Sequence, residues 1–327
     1  MGAIGQGGRH STNLSGAREA EDVVEEHGKV LLHAVPEWAR AALAMPNGSQ
    51  HIDVDGCRVH YLSWGDPGLP PVVLVHGNAA HAEWWRFIAP LLAAEYHVLA
   101  IDLGGMGDSG HCGRYERERY AEQVMAVADA ASPGRPPFVV GHSLGGFVTI
   151  MAGAAYGDRL AGIVVIDAPI EPPDRDNPYP SVQVKTPGEV YVDLAEALRR
   201  FRVVPEQRVG CQFYLDHIAR HSLATTAGGW RWKFDPAAIG HPRPTEFTEA
   251  LLDMRCNAAL FIGEHSERVD EEARAYMRRT FGKRIPIVEL TNCRHHVMLD
   301  EPLALVAALR AQLSNWSLKN TDPGNGA

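Results

Sequence analysis

FVVGHSLGGF, residues 138–147, sets the short β-type run Phe138-Val139-Val140 directly against Gly-His-Ser-Leu-Gly, and the helix-like stretch FVTIMAGAAY follows it. A chain that turns this sharply from strand to helix imposes strained dihedrals on Ser143, while Gly141 and Gly145 keep side chains out of the bend. Ser143 is then held out at the tip of a sheet. The Leu144 N–H and the positive end of the new helix face any oxyanion developing beside it. Strand before, helix after and a further Gly146 favour a nucleophile over a purely structural glycine turn.

Working outward, apolar runs alternate with helix-like segments: PVVLV (71–75), HVLAI (97–101), FVV (138–140), GIVVI (162–166), AALFI (258–262) and IPIVEL (285–290). That rhythm predicts a mostly parallel α/β sheet with right-handed crossovers and helices on its faces. Upstream, HIDVDGCRVHYLSWG alternates apolar and polar residues around Asp55-Gly56, a dipeptide suited to a two-residue hairpin turn. The rhythm breaks between Pro172 and about Phe247, where helix-like runs such as VYVDLAEALRRF and CQFYLDHIARH replace strands. Residues 171–246 are therefore expected to form a helical cap on a core of residues 51–170 and 247–318. Residues 1–50 read as a partly helical extension, interrupted at Pro36, and residues 319–327 as a disordered tail.

The 327 residues are 45% hydrophobic and 22% charged, the composition of a folded globular chain with a sizeable core. A formal charge of −9 with scattered basic residues gives no footprint for nucleic acid or an anionic membrane. The five cysteines, Cys57, Cys112, Cys211, Cys256 and Cys293, form no C-x-x-C pair and leave an odd count. Reduced thiols are expected, with neither a zinc site nor a disulfide framework. No apolar signal core or long apolar span is present, and a cytoplasmic location is expected.

Three further stretches supply chemistry. PVVLVHGNAA ends a strand in His76-Gly77, after which the Asn78 N–H is the expected second oxyanion donor, with Gly77 and Ala79 as alternatives. AIDLGGMGDSG has the wrong glycine spacing for a dinucleotide fingerprint, so Asp102 is expected to tether its loop. TNCRHHVMLDEP offers His295 and His296 as the base that a serine nucleophile needs. Adjacent histidines point apart and no third ligand lies at a useful spacing, which argues against a metal site here.

GHSLGG, VHGN, DLGGMGDSG and HHVMLDEP, in that order, resemble the α/β-hydrolase superfamily over about residues 51–318. The resemblance implies the α/β-hydrolase fold and a catalytic histidine opening a stretch that ends L-[DE]-x-P, which Leu299, Asp300 and Pro302 match with His295 first. It also places an acid after the next-to-last strand, in G-x-x-D. Here that place reads AALFIGEHSERVD, with Ser266 in the acid's position and Glu264, Glu267 and Asp270 displaced in register. Some relatives carry the acid one strand earlier, where Asp167 ends GIVVI. Asp167 is the expected partner of His295, and Glu264 the alternative acid.

With serine at 143, relatives that form alkyl-enzyme esters, the haloalkane dehalogenases and epoxide hydrolases, fit less well than acyl transfer. The expected reaction is hydrolysis of an ester or lactone of a mid-sized apolar or aromatic compound, without metal or organic cofactor. Trp84, Trp85, His142 and Trp230 are the expected substrate contacts, although many insert aromatics, Tyr179, Tyr191, Phe201, Phe213, Tyr214, Trp232 and Phe234 among them, must also build its own core. The resemblance leaves open carbon–carbon hydrolysis of ring-cleavage products, a lyase such as one cleaving cyanohydrins, and a small-molecule receptor. The sequence also leaves a homodimer open.

Overall fold

The computed structural model describes residues 35–173, 175, 189–239 and 247–321. The chain divides into two units, Met1–Ala41 and Ala42–Ala327. The division thus falls before residue 50, where the extension was expected to end. Helix α1 spans Glu37–Ala44 and starts right after Pro36, whose carbonyl accepts from the Ala39 and Arg40 N–H groups at 3.0 Å. Proline suits this place, because the first turn of a helix does not need its missing N–H. The helix expected upstream, Tyr179 and the end of the tail lie outside the described residues.

The strands are β1 (Gly48–Val54), β2 (Cys57–Trp64), β3 (Pro71–Val75), β4 (His97–Ile101), β5 (Phe138–His142), β6 (Gly162–Ile166), β7 (Leu223–Thr226), β8 (Gly229–Trp232), β9 (Ala258–Gly263) and β10 (Ile287–Leu290). Eight of them form one sheet in the order β1-β2-β4-β3-β5-β6-β9-β10. β2 pairs antiparallel with β1 and β4, and every other pairing is parallel. Strands β3, β4, β5, β6 and β9 are buried along their whole length, which is why they read as continuous apolar runs rather than alternating ones. The β1–β2 turn uses Asp55 at φ 53° and Gly56 at φ 78°, the left-handed pair expected of a two-residue hairpin.

The helices are α2 (Ala89–Leu92), α3 (Arg117–Ala131), α4 (Leu144–Tyr156), α5 (Leu194–Arg199), α6 (Gln212–His221), α7 (Phe247–Leu252), α8 (Glu271–Phe281), α9 (Val297–Asp300) and α10 (Pro302–Thr321). α3 and α4 pack on each other and on the central strands, so the sheet is flanked by helices. None of the described helices is long and apolar enough to cross a membrane. β3 lies between β4 and β5, so the chain reverses its direction of travel across the sheet at that point. Loops leaving β3 and β5 diverge there, at the strand tips where such sheets bind ligands.

Three expectations are corrected. The insert is not wholly helical: β7 and β8 form an antiparallel hairpin, Leu223 opposite Trp232 and Thr226 opposite Gly229. Its threonine and tryptophan residues favour the pleated conformation, and its strands are short enough to escape a periodicity reading. The tail is helical as far as Thr321, where disorder was expected from residue 319. Cys57 and Cys112 are joined by a disulfide rather than reduced. Gly110 N–H bonds the Arg58 carbonyl at 2.7 Å, which lays the glycine-rich loop along β2 and brings the two sulfurs together.

Candidate active site

Ser143 sits between β5 and α4 with φ 55° and ψ −117°, the strained conformation expected of the turn. Its N–H is held by the Ile166 carbonyl at 2.9 Å, and its own carbonyl accepts from Gly146 N–H at 2.9 Å. A Cβ on residue 145 would lie 2.4 Å from the Val75 carbonyl oxygen, and one on residue 141 would lie 2.1 Å from that of Gly145. Neither oxygen can retreat without moving a buried strand or helix, so both positions require glycine.

His295, in the loop between β10 and α9, lies over this serine. Its Nε2 is 3.2 Å from Ser143 Oγ and its Nδ1 is 2.7 Å from Asp167 Oδ2. A carboxylate only accepts, so Nδ1 carries the proton and Nε2 turns a lone pair toward the hydroxyl. His295 and Asp167 are 3% and 1% exposed, respectively.

Asp167 leaves the end of β6 at φ 48°, with its N–H on the Phe261 carbonyl at 2.8 Å. Its Oδ1 accepts from Gly263 N–H at 2.9 Å, and its Oδ2 accepts from Ser266 Oγ at 2.5 Å. Ser266 Oγ in turn accepts from the Arg268 and Val269 N–H groups at 3.1 Å, so its hydroxyl hydrogen is free to go to Asp167. The residue standing in the alternative acid position is thus a donor to the carboxylate one strand earlier. Its identity was visible in the sequence; its partner was not.

Glu264 does not join them. Its Oε2 accepts from Asn292 N–H at 2.9 Å, its side chain is 37% exposed, and among the described residues it has no hydrogen bond to His295. Asp270 is committed to Arg175, at 2.6 and 3.0 Å. A one-residue displacement in a turn sends each side chain to a different neighbour.

On the far side of the serine, the Gly77 backbone approaches closely: a Cβ there would lie 3.4 Å from Ser143 Cβ. His76 Nδ1–H donates to the Gly77 carbonyl at 2.7 Å while its Nε2 accepts from Leu103 N–H at 3.0 Å. That imidazole fixes the peptide leading into Asn78, and Ala79 follows at φ 54°. Among the described residues neither the Asn78 nor the Leu144 N–H has a backbone acceptor. Asp102 binds His60 Nδ1 at 2.7 Å, Asp108 N–H at 2.9 Å and Ala82 N–H at 2.5 Å, which ties its loop in place.

The expected substrate contacts fare differently. His142 is buried, and its Nε2–H donates to the His295 carbonyl at 2.8 Å, so it braces the loop instead of facing a ligand. Burial, aided by the neighbouring His295, holds its pKa well below the usual imidazole value. Trp85 is fully buried in the core, because the tight turn Ala82–Trp85 sends successive side chains in different directions. Trp230 pairs its backbone with Tyr191 and packs with Trp232, Leu194 and Leu198 in the insert's own small core. Trp84 stays near the site, its ring 5.3 Å from that of His296. His296 packs between Trp84 and His295, and burial holds its pKa well below the usual value.

His142, His295 and His296 bring one nitrogen each within 4.8 Å of one another. His295 commits both nitrogens to Asp167 and Ser143, and His142 commits Nε2 to a carbonyl. His142 thus supplies the third nitrogen that the sequence spacing did not offer, although two of the three rings are already hydrogen-bonded within the site.

A model of the alpha/beta hydrolase family matches residues 72–309. The chain is 34% identical over 125 residues to Epoxide hydrolase A of Mycobacterium tuberculosis, a match covering 37% of this chain and only 38% of that protein. It is 26% identical over 270 residues to Esterase Rv0045c of the same organism, covering 77% of this chain and 85% of the esterase. Among solved structures, the thioesterase domain from the curacin biosynthetic pathway superimposes with a TM-score of 0.67 at 22% identity, over 82% of this chain and 99% of that one. That likeness is one of fold. With the family match running from β3 into α10, across the whole strand-to-helix turn and the histidine loop, the chain belongs to the alpha/beta hydrolase family.

Proposed function

We propose that the protein is a serine hydrolase that cleaves a carboxylic ester or lactone through an acyl-enzyme. The observation carrying this reading is the line Ser143 Oγ, His295 Nε2, His295 Nδ1 and Asp167 Oδ2, with separations of 3.2 and 2.7 Å across its two hydrogen bonds. In the proposed cycle Ser143 Oγ attacks the carbonyl carbon as His295 Nε2 takes its proton, and Asp167 stabilises the imidazolium. The Asn78 and Leu144 N–H groups receive the oxyanion. His295 then protonates the departing alkoxide, and water repeats the sequence to release the acid and free Ser143.

Relatives of the family include epoxide hydrolases as well as an esterase and a lipase. Chemistry separates them. A carboxylate nucleophile opening an epoxide leaves an ester that water can cleave, whereas a serine would leave an ether that this machinery cannot. Serine at 143 therefore favours acyl transfer. Trp84, beside His296, supports an apolar group on the substrate.

Short-chain p-nitrophenyl esters and a fluorophosphonate probe test the proposal together. The expected result is a burst of nitrophenol and an adduct on the Ser143 peptide, both lost in Ser143→Ala. A folded protein that releases no nitrophenol and takes no label at Ser143 would overturn it.

A further inference from the structure

Away from Ser143, helix α6 carries His217 and His221 one turn apart, and their ring centroids lie 4.0 Å from each other. Facing them is Glu83, in the turn Ala82–Trp85, with its Oε2 2.7 Å from His217 Nε2. One donor atom from each of the three lies within 4.8 Å of the others. Nitrogen and oxygen ligands of a tetrahedral zinc ion stand about 2.0–2.2 Å from the metal, hence about 3.3 Å from one another. The donor atoms are therefore within about 1.5 Å of the separations that a coordinating arrangement requires.

Both sides of the cluster are already pinned. The Tyr214 hydroxyl donates to the Trp84 carbonyl, and Ser222 Oγ lies 2.8 Å from His81 Nε2. Helix and turn thus face each other at a fixed range whether or not an ion lies between them. His221 Nδ1–H donates to the His217 carbonyl at 2.8 Å, which leaves the lone pair on Nε2. A ligating histidine takes this tautomer when its other nitrogen is held by a carbonyl. Burial lowers the His217 pKa against the pull of Glu83; burial is the largest influence on Glu83 and would raise its pKa, but the hydrogen bond from His217 and the charges of His217, His221 and Arg86 together bring it below its ordinary value. The set offers two imidazoles and one carboxylate.

Next to it lies a cavity of about 220 Å³, lined by Glu83 and His221 together with His60, His81, Asp102 and Asp108. The polar side chains among its walls suit a water completing a coordination shell. A simple bridge between helix and turn needs only Glu83 and His217; His221 is the member it leaves unexplained.

We infer that Glu83, His217 and His221 form a binding site for a divalent transition-metal ion of the zinc type, joining the insert helix α6 to the turn that follows β3. Two imidazoles and one carboxylate suit zinc better than calcium or magnesium, which prefer all-oxygen shells. On binding, His217 passes its Nε2 proton to Nδ1 or to solvent and gives the ion that lone pair, while Glu83 exchanges a hydrogen bond for a metal bond.

Chelator-dialysed full-length protein titrated with zinc chloride tests the site by calorimetry, metal analysis and melting temperature. The expected result is one zinc per chain and a higher melting temperature. Affinity should fall at least tenfold in His221→Ala and in Glu83→Gln, neither of which touches the Ser143 machinery. Both variants should keep fluorophosphonate labelling, so the outcome is independent of the hydrolase reading. Zinc binding equally well to wild type and both variants, or failing to bind at one per chain, would overturn the inference. So would zinc that inhibits ester turnover equally in wild type and His221→Ala, because the ion would then lie on the histidines around His295.

Discussion

Asp167 accepts hydrogen bonds on both oxygens, from Gly263 N–H on one and from Ser266 and His295 on the other. A non-glycine residue at φ 48° costs on the order of 1–3 kcal/mol, a strain that persists where the surroundings over-determine it. An amide in its place would offer an N–H to a ring nitrogen that already carries one, forcing the imidazole into the wrong tautomer. Asp167→Asn is therefore expected to lower kcat by about 10⁴-fold, the loss known for such a change in a serine triad. Ser266→Ala removes a donor that touches the acid and not the substrate, so a drop in kcat of about tenfold at unchanged KM is expected. Glu264→Gln should change turnover by less than about twofold, since that side chain is held by Asn292. If steady-state kinetics show Glu264→Gln inactive and Asp167→Asn within tenfold of wild type, the proton path runs elsewhere.

The elements that position these residues were largely legible in the sequence, for a physical reason. PVVLV, HVLAI and GIVVI are buried on both faces, and no ordinary loop tolerates so many apolar residues in a row. G-x-S-x-G was legible because one sharp turn demands serine and glycine at fixed places. Pairings between distant segments were not. Ser266 meets Asp167, Cys57 meets Cys112, and Glu83 meets His217 only once the sheet has ordered the chain. Phase along a tight turn was equally hidden, so Trp84 reaches His296 while its neighbour Trp85 enters the core. At this scale the sharpest prediction concerns the bend itself. Gly145→Ala places a methyl 2.4 Å from the Val75 carbonyl oxygen and 2.6 Å from that of His76. The cost is expected to be about 3 kcal/mol, read from urea unfolding, with loss of fluorophosphonate labelling even in the folded fraction. Wild-type stability in that variant would show that β3 and α4 can separate without penalty.

Across the whole molecule, a set of buried histidines couples the fold to pH. His76, His81, His142 and His296 are each 5% exposed or less. Burial lowers the pKa of all four, to about 3 for His81. In the unfolded chain each returns to about 6.5. Their neutral forms are therefore fully accommodated above about pH 6.5, and below it the unfolded chain binds protons that the folded chain refuses. Each such histidine then removes about 1.4 kcal/mol of stability per pH unit until its folded pKa is reached. Four acting together remove about 5.6 kcal/mol per unit while all stay neutral in the fold, a large share of the roughly 5–15 kcal/mol that holds a domain folded. Acid unfolding is accordingly expected between about pH 5.5 and 4, earlier than protonation of carboxylates alone would bring it. Urea denaturation at intervals from pH 7.5 to 5 should give a stability that is level at first and then falls steeply. His296→Gln should make that fall shallower by about 1.4 kcal/mol per unit, since glutamine fills the site without taking up a proton. A wild-type curve that stays flat to pH 5 would mean that these imidazoles reach water or find acceptors when charged.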